Sequence, residues 1–187
     1  GSLDTSFDGD GIATTNIAGY DSANAIALQP DGKIVAAGVS NTGGANFALV
    51  RYHSNGTLDT TFDTDGKVST DFWGSNEQIN AVAIQADGKI VAAGYIMNGA
   101  PNYDQDFALI RYNADGSLDT SFDGDGKLTT DFQGSLYNND RAQAVAIQAD
   151  GKIVAAGYGV MTVNQNTTAG FGLARYNLDG SLDTSFD

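Results

Sequence analysis

The phrase Gly1-Ser-Leu-Asp-Thr-Ser-Phe7-Asp8 returns as Gly56-Thr-Leu-Asp-Thr-Thr-Phe62-Asp63, again from Gly116 to Asp123, and again from Gly180 to Asp187. Internal repetition of this period is the signature of a stacked repeat architecture, in which one supersecondary unit packs on copies of itself. It divides the 187 residues into repeats 1–55, 56–115 and 116–179, with 180–187 opening a fourth. A single repeat domain is expected, with enough chain to bury a sizeable core.

Four short strands are legible in each repeat. Strand a is Ala25–Gln29, then Ala81–Gln85 and Ala144–Gln148. Strand b is Lys33–Gly38, then Lys89–Gly94 and Lys152–Gly157. Strand c is Phe47–Tyr52, then Phe107–Tyr112 and Phe171–Tyr176. Strand d is Ile12–Thr15, then Lys67–Thr70 and Lys127–Thr130. Asp31-Gly32, Asp87-Gly88 and Asp150-Gly151 separate a from b, a strong hairpin signal because glycine accepts positive φ. Strands a and b carry apolar residues on both faces, as sheets covered on both sides do. The small run Ala36-Ala37-Gly38 is expected to let neighbouring sheets approach closely. Glu77 is the only glutamate, and scarce Glu and Lys argue against helix. The expected fold class is all-β: β-propeller blades, built as three four-stranded antiparallel repeats. The terminal blade is split, since Ile12–Thr15 comes without its own a, b and c strands and the last a, b and c lack a d.

The phrases Leu3-Asp-Thr-Ser-Phe-Asp-Gly-Asp-Gly11, Ala25-Ile-Ala-Leu-Gln-Pro-Asp-Gly-Lys-Ile-Val-Ala-Ala-Gly38 and Phe47-Ala-Leu-Val-Arg-Tyr52 resemble the delta-60 repeat of bacterial secreted and cell-surface proteins. The resemblance covers essentially the whole chain. It implies a β-propeller in an extracellular or cell-surface setting, and it implies no catalytic residues.

Composition narrows the function. The formal net charge is −14 with nine Lys and Arg in all, so nucleic acid is not expected as a partner. With no cysteine, a disulfide framework and a thiolate metal site are excluded. No apolar run approaches the roughly 20 residues of a membrane-spanning helix, and no membrane insertion is expected. No signal peptide is visible at residue 1, which reads as a mature domain or a fragment.

Two connections change length between repeats. Gly38–Phe47 lengthens to Gly94–Phe107 and Gly157–Phe171, and Thr15–Ala25 lengthens to Thr70–Ala81 and Thr130–Ala144. In an up-and-down blade these b–c and d–a loops share one face, while the constant a–b and c–d connections share the other. Variable loops on a rigid scaffold are where binding sits. Tyr20, Trp73, Tyr103 and Tyr137 are therefore the candidate ligand contacts, suited to sugar or protein.

The c–d connection is dense in acids. Asp8 and Asp10 recur as Asp63 and Asp65 and as Asp123 and Asp125, which makes them candidate calcium ligands. The competing reading is a turn in which the carboxylates cap backbone N–H groups and glycine takes positive φ. The spacing departs from the EF-hand loop, and no glutamate closes it. Arg51, Arg111 and Arg175 each precede a tyrosine at the end of strand c, and each guanidinium is expected to reach an aspartate of a neighbouring turn. Phe7, Phe62, Phe122 and Phe186 are expected core plugs. His53, the only histidine, fills the turn slot of Asn113 and Asn177, and Glu77 has no counterpart in the other repeats.

Three functions follow in order. The first is a non-catalytic propeller scaffold that binds a protein or carbohydrate through the variable loops. The second is a self-assembling element, with copies lending strand d to one another as a ring or filament. The third is a carbohydrate-active enzyme, although nothing selects a pair of acids from the many. Propellers have 4–8 blades, so three blades imply a homo-oligomer or a longer repeat array.

Overall fold

A computed structural model of the chain describes residues 1–41, 43–72, 76–99, 104–132, 139–163 and 166–186. Sheet I contains β1 (Tyr20–Leu28), β2 (Ile34–Asn41), β3 (Ala45–Tyr52) and β4 (Lys67–Thr70). Sheet II contains β5 (Glu77–Ile84), β6 (Ile90–Met97), β7 (Gln105–Tyr112) and β8 (Lys127–Thr130). Sheet III contains β9 (Arg141–Ile147), β10 (Ile153–Val163) and β11 (Asn166–Tyr176). Within each sheet, every strand pairs antiparallel with its neighbour in sequence. Among the described residues there is no helix, and the expected all-β architecture of antiparallel repeats is what forms.

The hairpin turns close as their Asp-Gly pairs require. Gly32, at φ +83°, donates its N–H to Gln29 O, while Asp31 accepts the Lys33 N–H. The same geometry repeats at Asp87-Gly88 and Asp150-Gly151.

Beyond the turns the strands run further than apolar patterning showed. Each strand a continues toward its N-terminus past an irregularity in pairing, between Ala23 and Ala25 and between Ile79 and Ala81, with a matching shift at Ala156 and Gly157. The bulge explains Gly38, Gly94 and Gly157. A Cβ there would lie 1.9, 1.8 and 2.0 Å from the carbonyl oxygens of Ser22, Gln78 and Arg141. These glycines admit the bulged strand of their own sheet, so the expected role in sheet-to-sheet approach falls to the alanines beside them.

Sheet II is covered on both sides, which accounts for its unbroken apolar runs. Ile90, Ala92, Ala108 and Ile110 face sheet I, where they meet Val35, Phe47, Leu49 and Phe62. Val91, Ala93, Phe107 and Leu109 face sheet III, where they meet Ile153, Ala155 and Tyr176. Phe62 and Phe122 are fully buried plugs of the two cores, whereas Phe186 at the open end is 39% exposed. An edge-on aromatic pair repeats at each seam, Phe47 with Phe72 and Phe107 with Phe132. Polar bridges repeat too. Tyr112 Oη donates to Thr70 Oγ1 at 2.8 Å, and Tyr176 Oη pairs with Thr130 Oγ1 at 2.7 Å. Asn24 and Asn80, at the bulges, donate to the carbonyls of Ile79 and Ala142 in the next sheet.

One expected strand does not form. Ile12–Thr15 pairs with no strand among the described residues, because no strand c lies beside it. It still takes the place of a strand d: Tyr52 Oη donates to Thr15 Oγ1 at 2.8 Å, as Tyr112 does to Thr70. The stack is open at both ends.

Candidate functional site

The up-and-down order places the a–b turns with the c–d connections and the b–c with the d–a connections, at opposite ends of each sheet. The constant end is built from a repeated ion-pair relay. Arg51 Nε donates to Asp59 Oδ2 at 2.7 Å, Lys33 reaches the same oxygen at 3.2 Å, and the guanidinium lies 4.5 Å from the centre of the Phe62 ring. Arg111, Asp119, Lys89 and Phe122 repeat the set, as do Arg175, Asp183, Lys152 and Phe186. The expected Arg-to-Asp contact therefore exists in every repeat, within its own c–d connection. Burial pushes the Asp59 carboxyl up, but the Thr61 hydroxyl and N–H, Lys33 and Arg51 outweigh it and hold it well below the ordinary range. Two of the arginines also cross the seams: Arg51 Nη1 donates to Ala114 O at 2.5 Å and Arg111 Nη1 to Leu178 O at 2.6 Å.

The candidate calcium ligands lie at this same end. Asp10, Asp65 and Asp125 each accept the backbone N–H two residues on, from Ile12, Lys67 and Lys127. Asp8, Asp63 and Asp123 sit at positive φ, so these aspartates shape a turn. Burial, then the like charges of Asp65 and Asp115, raise the Asp63 carboxyl; burial, Asp125 and Asp179 do the same to Asp123. His53 lies in the matching turn position to Asn113 and Asn177, its N–H bonded to Thr57 O.

The variable end is closed by acids that sequence comparison missed. Asp21 Oδ2 accepts the Ile17 N–H, Glu77 Oε1 accepts the Phe72 N–H, and Asp140 Oδ2 accepts the Phe132 N–H. The three carboxylates do one job: each sits at or just before the start of strand a and holds the backbone at the start of the d–a loop. Glu77 thus has counterparts, contrary to the sequence reading, and the spacings of four, five and eight residues hid them.

At the seam between sheets II and III this end gathers further acids. Asp106 on β7, Asp131 after β8 and Asp140 before β9 bring carboxylate oxygens within 4.8 Å of one another. Burial raises the Asp106 carboxyl, partly offset by Asn98, and Asp104, Asp131 and Asp140 raise it further. Asp140 is raised by burial and by Asp131 and Asp104, against the bonds it accepts from Phe132 and Val160. Closely grouped hard oxygens of this kind are the donor chemistry of divalent cations. Beside them Arg141 donates to Gln105 Oε1 and lies over the Tyr95 ring.

Of the candidate ligand contacts, Tyr20 opens β1 at this end and is 75% exposed. Trp73, Tyr103 and Tyr137 lie outside the described residues.

A family model described as a domain of unknown function (DUF5122) beta-propeller matches residues 29–62, 85–122 and 148–186, more than half of the chain. The chain belongs to this β-propeller family. Each matched segment starts at the end of a strand a, spans strands b and c, and ends in the c–d connection with its Arg–Asp relay. The match therefore takes in the a–b turn, the b–c loop and the first part of the c–d connection of every blade, and the d–a loops fall between its segments. Comparison with curated proteins finds no match.

Proposed function

We propose that the chain is a non-catalytic β-propeller scaffold whose b–c and d–a loops bind a protein or carbohydrate ligand. The observation that carries this reading is the division of labour between the two ends of each blade. The a–b and c–d end repeats one relay of Arg, Asp, Lys and Phe in all three blades. The opposite end repeats the carboxylate that anchors each loop and the aromatic pair at each seam, while the loops between these fixed points change length and content. A scaffold that is fixed at one end and free at the other suits recognition. The likeness to the delta-60 repeat supports an extracellular or cell-surface setting in a bacterium.

The test is binding to arrays of glycans and peptides by the chain and two variant pairs. Asp104→Asn with Tyr20→Ala alters the variable end; Asp31→Asn with Asp87→Asn alters the constant end. Loss of the bound ligand in the first pair alone is the expected outcome. Equal loss in both, or release of product from an arrayed glycan, would overturn the reading.

A further inference from the structure

The two outer faces of the stack are uncovered copies of faces that are buried inside it. On blade I, Ile26 and Leu28 are each 68% exposed. Their counterparts Val82 and Ile84 pack into the first core, and Val145 and Ile147 pack into the second. On blade III, Phe171 is 92% exposed and Leu173 48%. Their counterparts Phe47, Leu49, Phe107 and Leu109 are fully buried at the two seams. What covers Phe47 and Leu49 is a blade face of the kind that Ile26 and Leu28 present.

We infer that these faces are two halves of one interface, filled head to tail by a second copy of this chain. The internal seams fix its register. Phe47, Ala48, Leu49 and Val50 pair with Thr70, Ser69, Val68 and Lys67, and Phe107 to Ile110 pair with Thr130 to Lys127 in the same way. By the same rule Phe171 of one copy pairs with Thr15 of the next, Gly172 with Thr14, Leu173 with Ala13, and Ala174 with Ile12. Ile12–Thr15 thereby completes β11 as the fourth strand it lacks, and the bare edge of blade III is closed.

Among the described residues, two members of these polar bridges, Arg175 and Gln143, make no bond across a seam. Arg51 and Arg111 donate Nη1 to Ala114 O and Leu178 O, so Arg175 is directed at Ser54 O of the next copy. Asn24 and Asn80 reach Ile79 O and Ala142 O, so Gln143 is directed at Ala23 O. Ile17 stands where Phe72 and Phe132 stand, opposite the incoming Phe171.

The octapeptide 1–8 is identical to 180–187. Asp8 donates its N–H to Asn55 O as Asp63 does to Asp115 O and Asp123 to Asp179 O. Residues 1–8 therefore hold the place that residues 180–187 of the preceding copy take up on docking, and either octapeptide fits it. Two copies give six blades, within the 4–8 of closed propellers. A net charge of −14 on each copy opposes the contact, so association strengthens with ionic strength.

The chain has no cysteine, so cross-linking reads the register directly. Light scattering is expected to give the mass of two or more chains. Ala13→Cys with Leu173→Cys, at positions that no internal core uses, is expected to form disulfide-linked multimers under oxidation. The yield should be about tenfold above that of the off-register pair Thr15→Cys with Leu173→Cys. Removal of residues 1–8 is expected to leave association intact, and removal of 1–16 to abolish it. A monomer at all salt concentrations, equal cross-linking in both registers, or association surviving loss of 1–16 would overturn the proposal and leave these faces to another occupant.

Discussion

Asp119 shows how much one side chain carries in this molecule. It is buried, takes bonds from Arg111, Lys89 and Ser121, and sits within a relay that occurs once per blade. Asp119→Asn leaves Arg111 buried without its counter-charge, and a loss of about 3 kcal/mol is expected in denaturant unfolding at pH 7. Burial raises the Asp119 carboxyl, but the hydrogen bonds and cations win, so its folded pKa lies below the unfolded value. Its stabilisation is therefore fully present above the unfolded carboxylate value of about 3.9 and fades as pH falls toward the folded value. The gap between wild type and variant should narrow in that acid window, and a gap that stays constant would assign the effect to packing. This contact was legible in sequence because Arg-Tyr and Leu-Asp recur at fixed spacing. The loop-anchoring acids were not, because Asp21, Glu77 and Asp140 keep one role at three spacings. Nor was the group of Asp106, Asp131 and Asp140, which joins residues from three segments that meet only at a seam.

Among the elements, strands b and c were readable from apolar runs, and their inner parts lie where those runs placed them. The extension of strand a to Tyr20 and Glu77 was not readable, since residues such as Asp21, Ser22 and Gln78 carry no apolar pattern. Ile12–Thr15 erred the other way: a residue run can specify a strand, but pairing needs a neighbour. The bulge glycines give the sharpest test at this scale. In Gly94→Ala the new methyl would meet the Gln78 carbonyl, which the ladder between β5 and β6 holds in place. A cost of about 3 kcal/mol is expected, as for overpacking, read as a lower denaturation midpoint. The same change at Gly99, with open space around it, is the control.

For the whole molecule, stability is a sum of blades and seams, because each blade touches only its neighbours. Blade II has two seams, and its strands β6 and β7 are buried on both faces. Hydrogen exchange in dilute solution should therefore be slowest in β6 and β7 and fastest in the outer strands β1 and β11. Protection of β11 that rises with protein concentration would mark the second copy docking there; uniform protection across blades would contradict the seam account. Blade number and closure were not legible in the sequence, because repetition defines the unit and not the count at which it stops.

The carboxylate at the foot of each d–a loop has a consequence for how such a chain changes over generations. It fastens the two ends of the loop to each other, so the sheet is held at the foot of the loop whatever the loop's length. Insertions there alter what the molecule can touch while leaving how it stands untouched. If these loops do bind the proposed ligand, such a chain could change its contacts one blade at a time without first finding a new way to fold.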